Sequence, residues 1–178
     1  TDFLVRMKEI LGAKDTSKMK SPTMLLYVNE EFKNNQFKLN NPNIVLPPDY
    51  LIYESFQINY HKYYTESFET AKWLKGYFEK YIDLNNKRIL DWGCGPGRII
   101  RHLPNVIGSG CEYFGTDYNK KSIDWCSKNL PNIHFNNNSL NAQLPYEDNF
   151  FDVIYGISIF THLSEQLHYD WFLNYLGY

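Results

Sequence analysis

The chain has 178 residues, 43% of them hydrophobic and 17% aromatic, enough to bury a core and too apolar for a wholly disordered polymer. Its formal net charge is −2, which gives no reason to expect nucleic acid as an obligate partner. The mean hydropathy is −0.49, and no apolar run approaches the roughly 18 residues of a membrane span.

Cys94, Cys111 and Cys126 form no CxxC pair and are odd in number, which argues against a disulfide framework or a zinc ribbon. A reducing, cytoplasmic setting fits best. No basic stretch followed by an apolar run marks a secretory signal at the start. The first residue is Thr1 rather than Met, so the sequence is expected to begin after a removed tag or inside a longer gene product. Nineteen Asn cluster at places such as Asn136-Asn137-Asn138 without forming a repeat.

Residues 1–50 read as a helical extension and linker, and residues 51–178 as the main domain. Asp2 to Leu11 carries Leu4, Met7, Ile10 and Leu11 on one side before Gly12 stops it. Ser21-Pro22 starts a second helix reaching about Phe32. Asn40-Asn41-Pro42 through Pro47-Pro48 reads as extended. Tyr53, Tyr60, Tyr63 and Tyr64 either wall a ligand pocket as a lid or pack plainly against a sheet. Residues 65–82 place Phe68, Ala71, Leu74, Phe78, Tyr81 and Ile82 at helical spacing, and Asn85-Asn86 ends that helix.

From there strand and helix alternate. Strands are expected at Arg88–Asp91, Glu112–Asp117, Ile133–Asn136 and Phe151–Ile157, the last nearly all apolar, as a strand buried on both faces should be. Helices are expected near Arg98–Leu103, Lys121–Leu130 and Ser164–Leu176. This order specifies an α/β fold with a doubly wound, Rossmann-like parallel sheet.

The turn after the first strand reads Asp91-Trp92-Gly93-Cys94-Gly95-Pro96-Gly97-Arg98. Glycines there let backbone amides approach a ligand, and a following helix adds partial positive charge. The dinucleotide pattern G-x-G-x-x-G fails in both frames, because Arg98 or Ile100 falls at the third glycine. No P-loop pattern occurs either. The second strand ends at Asp117, 20 residues beyond Gly97. That spacing suits a carboxylate over the ribose hydroxyls of a bound nucleoside; the alternative is a cap on the next helix.

The surviving D-x-G-x-G-x-G turn, Asp117, and the run Leu144-Pro145-Tyr146-Glu147-Asp148-Asn149-Phe150-Phe151-Asp152-Val153-Ile154-Tyr155 together resemble class I S-adenosylmethionine-dependent methyltransferases of the small-molecule type, over residues 85–176. The resemblance implies S-adenosyl-L-methionine as cofactor and S-adenosyl-L-homocysteine as product. It implies cofactor contacts from Asp91, Gly93, Cys94, Gly95, Asp117, Tyr118, Ser139, Leu140 and Ile157. Asp91 would face the cationic methionine tail and Tyr118 the adenine face. The loop after strand three, Asn138-Ser139-Leu140-Asn141, lacks the family's usual acid, so Ser139 or a backbone carbonyl would take the adenine amino group.

After strand four comes Gly156-Ile157-Ser158-Ile159-Phe160-Thr161-His162-Leu163. The Asn/Asp-Pro-Pro-aromatic motif of DNA amino-methyltransferases, the metal-binding carboxylate of catechol-type enzymes and the paired glutamates of arginine methyltransferases are all missing. The segment resembles bacterial methyltransferases acting on small molecules, sugars or lipids. His162 is the candidate base for a hydroxyl or amine acceptor, with a packing role as the alternative. His61, His102, His134 and His168 show no ligand spacing, so no metal is expected. The oligomeric state is open, and a non-catalytic cofactor-binding or scaffold domain is the alternative function. Seven strands belong to the class I sheet and four are read here, so the expectation is that further residues or a second chain cover strand four.

Overall fold

A computed structural model describes residues 22–108 and 110–175; the helix expected at residues 2–11 lies outside them. The elements are α1 (Pro22–Asn40), α2 (Asp49–Ser55), a π-turn (Lys62–Glu66), α3 (Ser67–Phe78), β1 (Arg88–Trp92), a 3-10 turn (Ile100–His102), α4 (Leu103–Ile107), β2 (Glu112–Asp117), α5 (Lys120–Asn129), β3 (His134–Asn137), β4 (Val153–Tyr155), a second 3-10 turn (Phe160–His162) and α6 (Glu165–Tyr175). The strands form one parallel sheet in the order β3-β2-β1-β4.

Alternation along the strands sends side chains to two faces. Ile89, Tyr113 and Tyr155 join Ala71, Leu74 and Phe78 of α3, Leu103 of α4 and Ile123 of α5 on one face. Leu90, Trp92 and Phe114 meet Leu144, Phe151 and Trp171 of α6 on the other. A third cluster joins Phe37, Ile52, Tyr60 and Tyr63. It ties the described part of the N-terminal extension to residues 52–64.

Several expected boundaries are corrected. Helix α1 runs to Asn40 rather than Phe32. Two fixed points inside the Asn-rich stretch carry it on. The Asn34 amide donates to the Ile58 carbonyl while its oxygen accepts from the Tyr60 amide, and Phe37 is buried. The helix expected over 65–82 is α3, preceded by the π-turn and frayed into turns beyond Phe78. Tyr81 is therefore exposed rather than packed. The helix expected at Arg98–Leu103 starts late, as a 3-10 turn and then the five-residue α4. Gly93, Gly95 and Gly97 all have positive φ, which no right-handed helix tolerates. Strand β4 has only three residues and is half-buried, not buried on both faces. It pairs with β1 alone, and its outer edge has no partner strand among the described residues. Among the described residues of the extension, Val45 accepts a hydrogen bond from Arg101 after β1.

One contact from the N-terminal third reaches the glycine turn. Tyr63 is fully buried, and its hydroxyl donates to the Pro96 carbonyl at 2.9 Å. Tyr63→Phe leaves that buried carbonyl unsatisfied. It is expected to cost about 1–3 kcal/mol, read as a lower midpoint in urea unfolding. An unchanged midpoint would show that the turn does not lean on Tyr63.

Candidate functional site

The turn at residues 93–97 is held from several directions. The amides of Gly93 and Cys94 both donate to the Thr116 carbonyl, at 2.8 and 2.9 Å. The Gly95 amide donates to Asp117 Oδ2 at 2.8 Å. The thiols of Cys94 and Cys126 both approach the Gly95 carbonyl. Burial raises Cys94 far above an ordinary thiol and Cys126 to about 12, so both act as small neutral packing groups. A Cβ on Gly93 would overlap Ile159 Cδ1, and one on Gly97 would lie 2.8 Å from Leu130 Cδ1. The turn is thus wedged between α5 and the segment that follows β4.

Asp117 sits at the carboxyl end of β2 and is 8% exposed. Its other oxygen accepts from the Asn119 amide at 2.7 Å. Asn119, not Asp117, caps α5, accepting from the Lys121 amide. Each carboxylate oxygen has taken one N–H, which leaves about two acceptor positions for a ligand's hydroxyls. Burial raises its pKa, against the pull of the Asn119 and Gly95 amides. The loop after β3 crosses beside it, with Asn138 N–H and Asn137 Nδ2 both donating to the Asp117 carbonyl. That crossing brings Ser139 and Leu140, both exposed, to the same end of the sheet. Tyr118 is 65% exposed, an unsupported ring beside the acid.

Asp91 lies on the other flank of the turn. The register sets it opposite Gly115 of β2 and Tyr155 of β4. It is 4% exposed. Burial pushes its carboxyl up to about 7, against the opposing influences of the Tyr155 hydroxyl and the Arg98 guanidinium. No lysine or arginine pairs with it within ion-pair distance among the described residues. The donor set therefore fits a zwitterionic nucleoside: hydroxyl acceptors at one end of the turn, and an unpaired acid beside a basic group at the other.

The structure brings Asp91, Gly93, Cys94, Gly95 and Asp117 together around the turn and sets Tyr118, Ser139 and Leu140 at the end of the sheet where Asp117 lies. Ile157 is half-buried and packs toward the α3 face. His162 is exposed, on the 3-10 turn after β4, and Ile159 fixes that turn's approach to Gly93. Of the tyrosine run, Tyr60 and Tyr63 are buried, Tyr64 packs on His102, and Tyr53 is exposed. Glu54 of α2 escaped sequence reasoning. Its carboxylate accepts from Asn119 Nδ2 at 2.7 Å, so α2 reaches the end of β2. Nothing in the local sequence of α2 marks this contact.

Residues 89–174 match a family described as a methyltransferase domain. An uncharacterized methyltransferase of Schizosaccharomyces pombe is 29% identical over 111 residues, 57% of this chain and 39% of that protein. The chain thus spans well under half the length of that curated relative. The PH0226 protein of Pyrococcus horikoshii is 21% identical, with 73% of this chain and 60% of that one covered and a TM-score of 0.55. Phosphoethanolamine N-methyltransferase 1 of Haemonchus contortus, solved with phosphoethanolamine and S-adenosylhomocysteine, is 17% identical, with 84% and 30% covered and a TM-score of 0.51. At these identities the two structures establish the fold. No helix among the described residues is long and apolar enough to cross a membrane.

The Asp91 carboxyl makes a pH prediction. Its folded value of about 7 lies above the ordinary 3.8, so the native state holds the proton more tightly than the unfolded chain. The stability from this group is complete below about pH 4 and is lost as pH rises through about 7, a difference of roughly 4 kcal/mol. Asp91→Asn is expected to lack this loss, measured by urea unfolding at pH 5 and pH 8. Identical pH profiles for the two proteins would rule out a perturbed Asp91.

Proposed function

We propose that this chain, whose residues 89–174 match a methyltransferase domain family, is a class I S-adenosylmethionine-dependent methyltransferase that transfers a methyl group to a small-molecule, sugar or lipid acceptor. The observation that carries the reading is the glycine turn itself, whose Gly95 amide is locked to Asp117 with Asp91 buried on its other flank. When bound, S-adenosyl-L-methionine supplies a methyl group on a positively charged sulfur, already electrophilic. The chain's contribution is alignment and exclusion of water, with a base where the acceptor needs one. Asp117 would accept from the ribose hydroxyls. Tyr118, Ser139 and Leu140 would border the adenine. His162 would take or orient the acceptor's proton. The absence of a basic surplus and the three unpaired cysteines support a small acceptor in a cytoplasmic setting rather than nucleic acid.

Asp117→Ala removes charge-assisted hydrogen bonds worth about 1.5–3 kcal/mol. Cofactor affinity by calorimetry is therefore expected to fall at least about tenfold. Equal binding by wild type and variant would refute the assignment, and a preference for NAD would refute the cofactor. His162→Ala is expected to lower the rate of methyl transfer to an acceptor found by screening while leaving cofactor affinity unchanged. Transfer at the wild-type rate would make His162 a structural residue.

A further inference from the structure

Helix α3 packs Ala71, Leu74 and Phe78 toward the sheet, and its outer face carries a second aromatic row. Trp73, Tyr77 and Tyr81 follow one another at four-residue spacing and are 62%, 45% and 75% exposed. The Trp73 and Tyr77 rings stack with 5.7 Å between centres, and Tyr81 joins Tyr77 at 5.3 Å. Three large rings gathered on the solvent side add nothing to the core, and methyl transfer gives them no role. Beside them Gly76 has nothing within 4 Å of the position a Cβ would take, so another backbone can come close there.

The charges along this row are ordered. Glu69 stands one turn before Trp73 and pairs with Lys72 at 2.9 Å, both side chains at least half exposed. Lys75 and Glu79 pair with each other on the flank at 3.7 Å. At the far end Lys80 lies 5.7 Å from the centre of the Tyr77 ring, with no carboxylate of the described residues within ion-pair distance. The row therefore reads acid, Trp, Tyr, then Tyr beside an unpaired lysine. Such a row complements itself only when reversed. A two-fold axis near Lys75, midway between Glu69 and Tyr81, sets Trp73 on the partner's Tyr77 and Lys80 beside the partner's Glu69, and symmetry repeats both contacts. The reversal also places the two helix dipoles antiparallel. A parallel pairing would set acid on acid and lysine on lysine.

We propose that the outer face of α3 is a homodimer interface in which two copies of the chain pair antiparallel through Trp73, Tyr77 and Tyr81. The interface is small. At roughly 200 Å² for each aromatic side chain, the exposed parts of the three rings supply about 350 Å² per protomer. A standard stable interface takes about 800 Å² from each partner. The pair is therefore a weak, concentration-dependent dimer with Trp73 as its anchor. It is independent of methyl transfer, so the loss of either reading leaves the other standing.

The test is sedimentation velocity of the full chain from about 10 µM to about 1 mM. Wild type is expected to pass from monomer toward dimer over that range and no further, because a two-fold pairing closes on itself. Trp73→Ala is expected to weaken association at least about tenfold. Lys80→Glu, which sets an acid against the partner's Glu69 twice over, is expected to weaken it roughly tenfold, and adding Glu69→Lys is expected to restore it. A wild-type chain that stays monomeric throughout overturns the proposal, and this measurement needs no variant to fold. So does a dimer that either single variant leaves intact, or that the double variant fails to restore. Open-ended oligomers overturn it as well. Monomers that bind phosphatidylserine–phosphatidylcholine vesicles through Trp73 overturn it in favour of a lipid surface.

Discussion

The structure depends on the fixing of one five-residue turn. A loop of three positive-φ glycines has no intrinsic shape and would sample many others. Here its backbone has partners on each side. Thr116 receives two of its amides, Asp117 a third, and Tyr63 donates to the carbonyl of Pro96. Strand β2 supplies the first two of those partners. The N-terminal third supplies the last, across 33 residues of sequence. The helix expected to follow the turn is displaced to α4, so the helix dipole contributes little at the turn. Binding there rests on the side chains around it.

Those side chains carry a consistent electrostatic bias. Burial raises Asp91, Cys94, Asp117 and Tyr155, so each is pushed toward its neutral form. Burial lowers Arg98, which weakens its hold on its own proton. A site tuned only for stability would place these opposite groups in contact or replace them with apolar ones. Keeping Asp91 and Arg98 near each other but unpaired costs folding energy. Perturbed, uncompensated groups of this kind gather where a ligand completes the charge balance.

Much of this was legible in the sequence where the chemistry is local. Strand β2 runs from Glu112 to Asp117 as expected, because Tyr113 and Phe114 favour a strand and an acid stands at each end of it. The turn and Asp117 were legible for the same reason, since glycines and an acid at a fixed spacing leave few alternatives. The misses are long-range. The span of α1 is decided by what Asn34 meets at residues 58 and 60, and the Glu54–Asn119 contact joins residues 65 apart. No local pattern encodes either. Strand β4 reads as a buried strand because Val153, Ile154 and Tyr155 are apolar or aromatic. Its burial depends on a neighbour that the described residues do not supply.

Strand order also decides where an acceptor can approach. The chain moves from β1 outward to β2 and β3, then returns to lay β4 on the other side of β1. The connections after β1 and after β4 therefore leave in opposite directions, which is where open α/β sheets bind their ligands. The turn after β1 lies on one side of that place. The segment 156–162 follows β4, pinned to Gly93 through Ile159 and bent at Ser158, whose φ of 63° is uncommon for a residue with a side chain. Thr161 holds that bend by donating to the Ser158 carbonyl. Strain of this kind persists only where surrounding contacts over-determine it. The bend presents Phe160 and His162 to solvent beside the turn. On the proposed reading, differences in acceptor among chains with the same turn are therefore expected to reside in this short segment rather than in the turn.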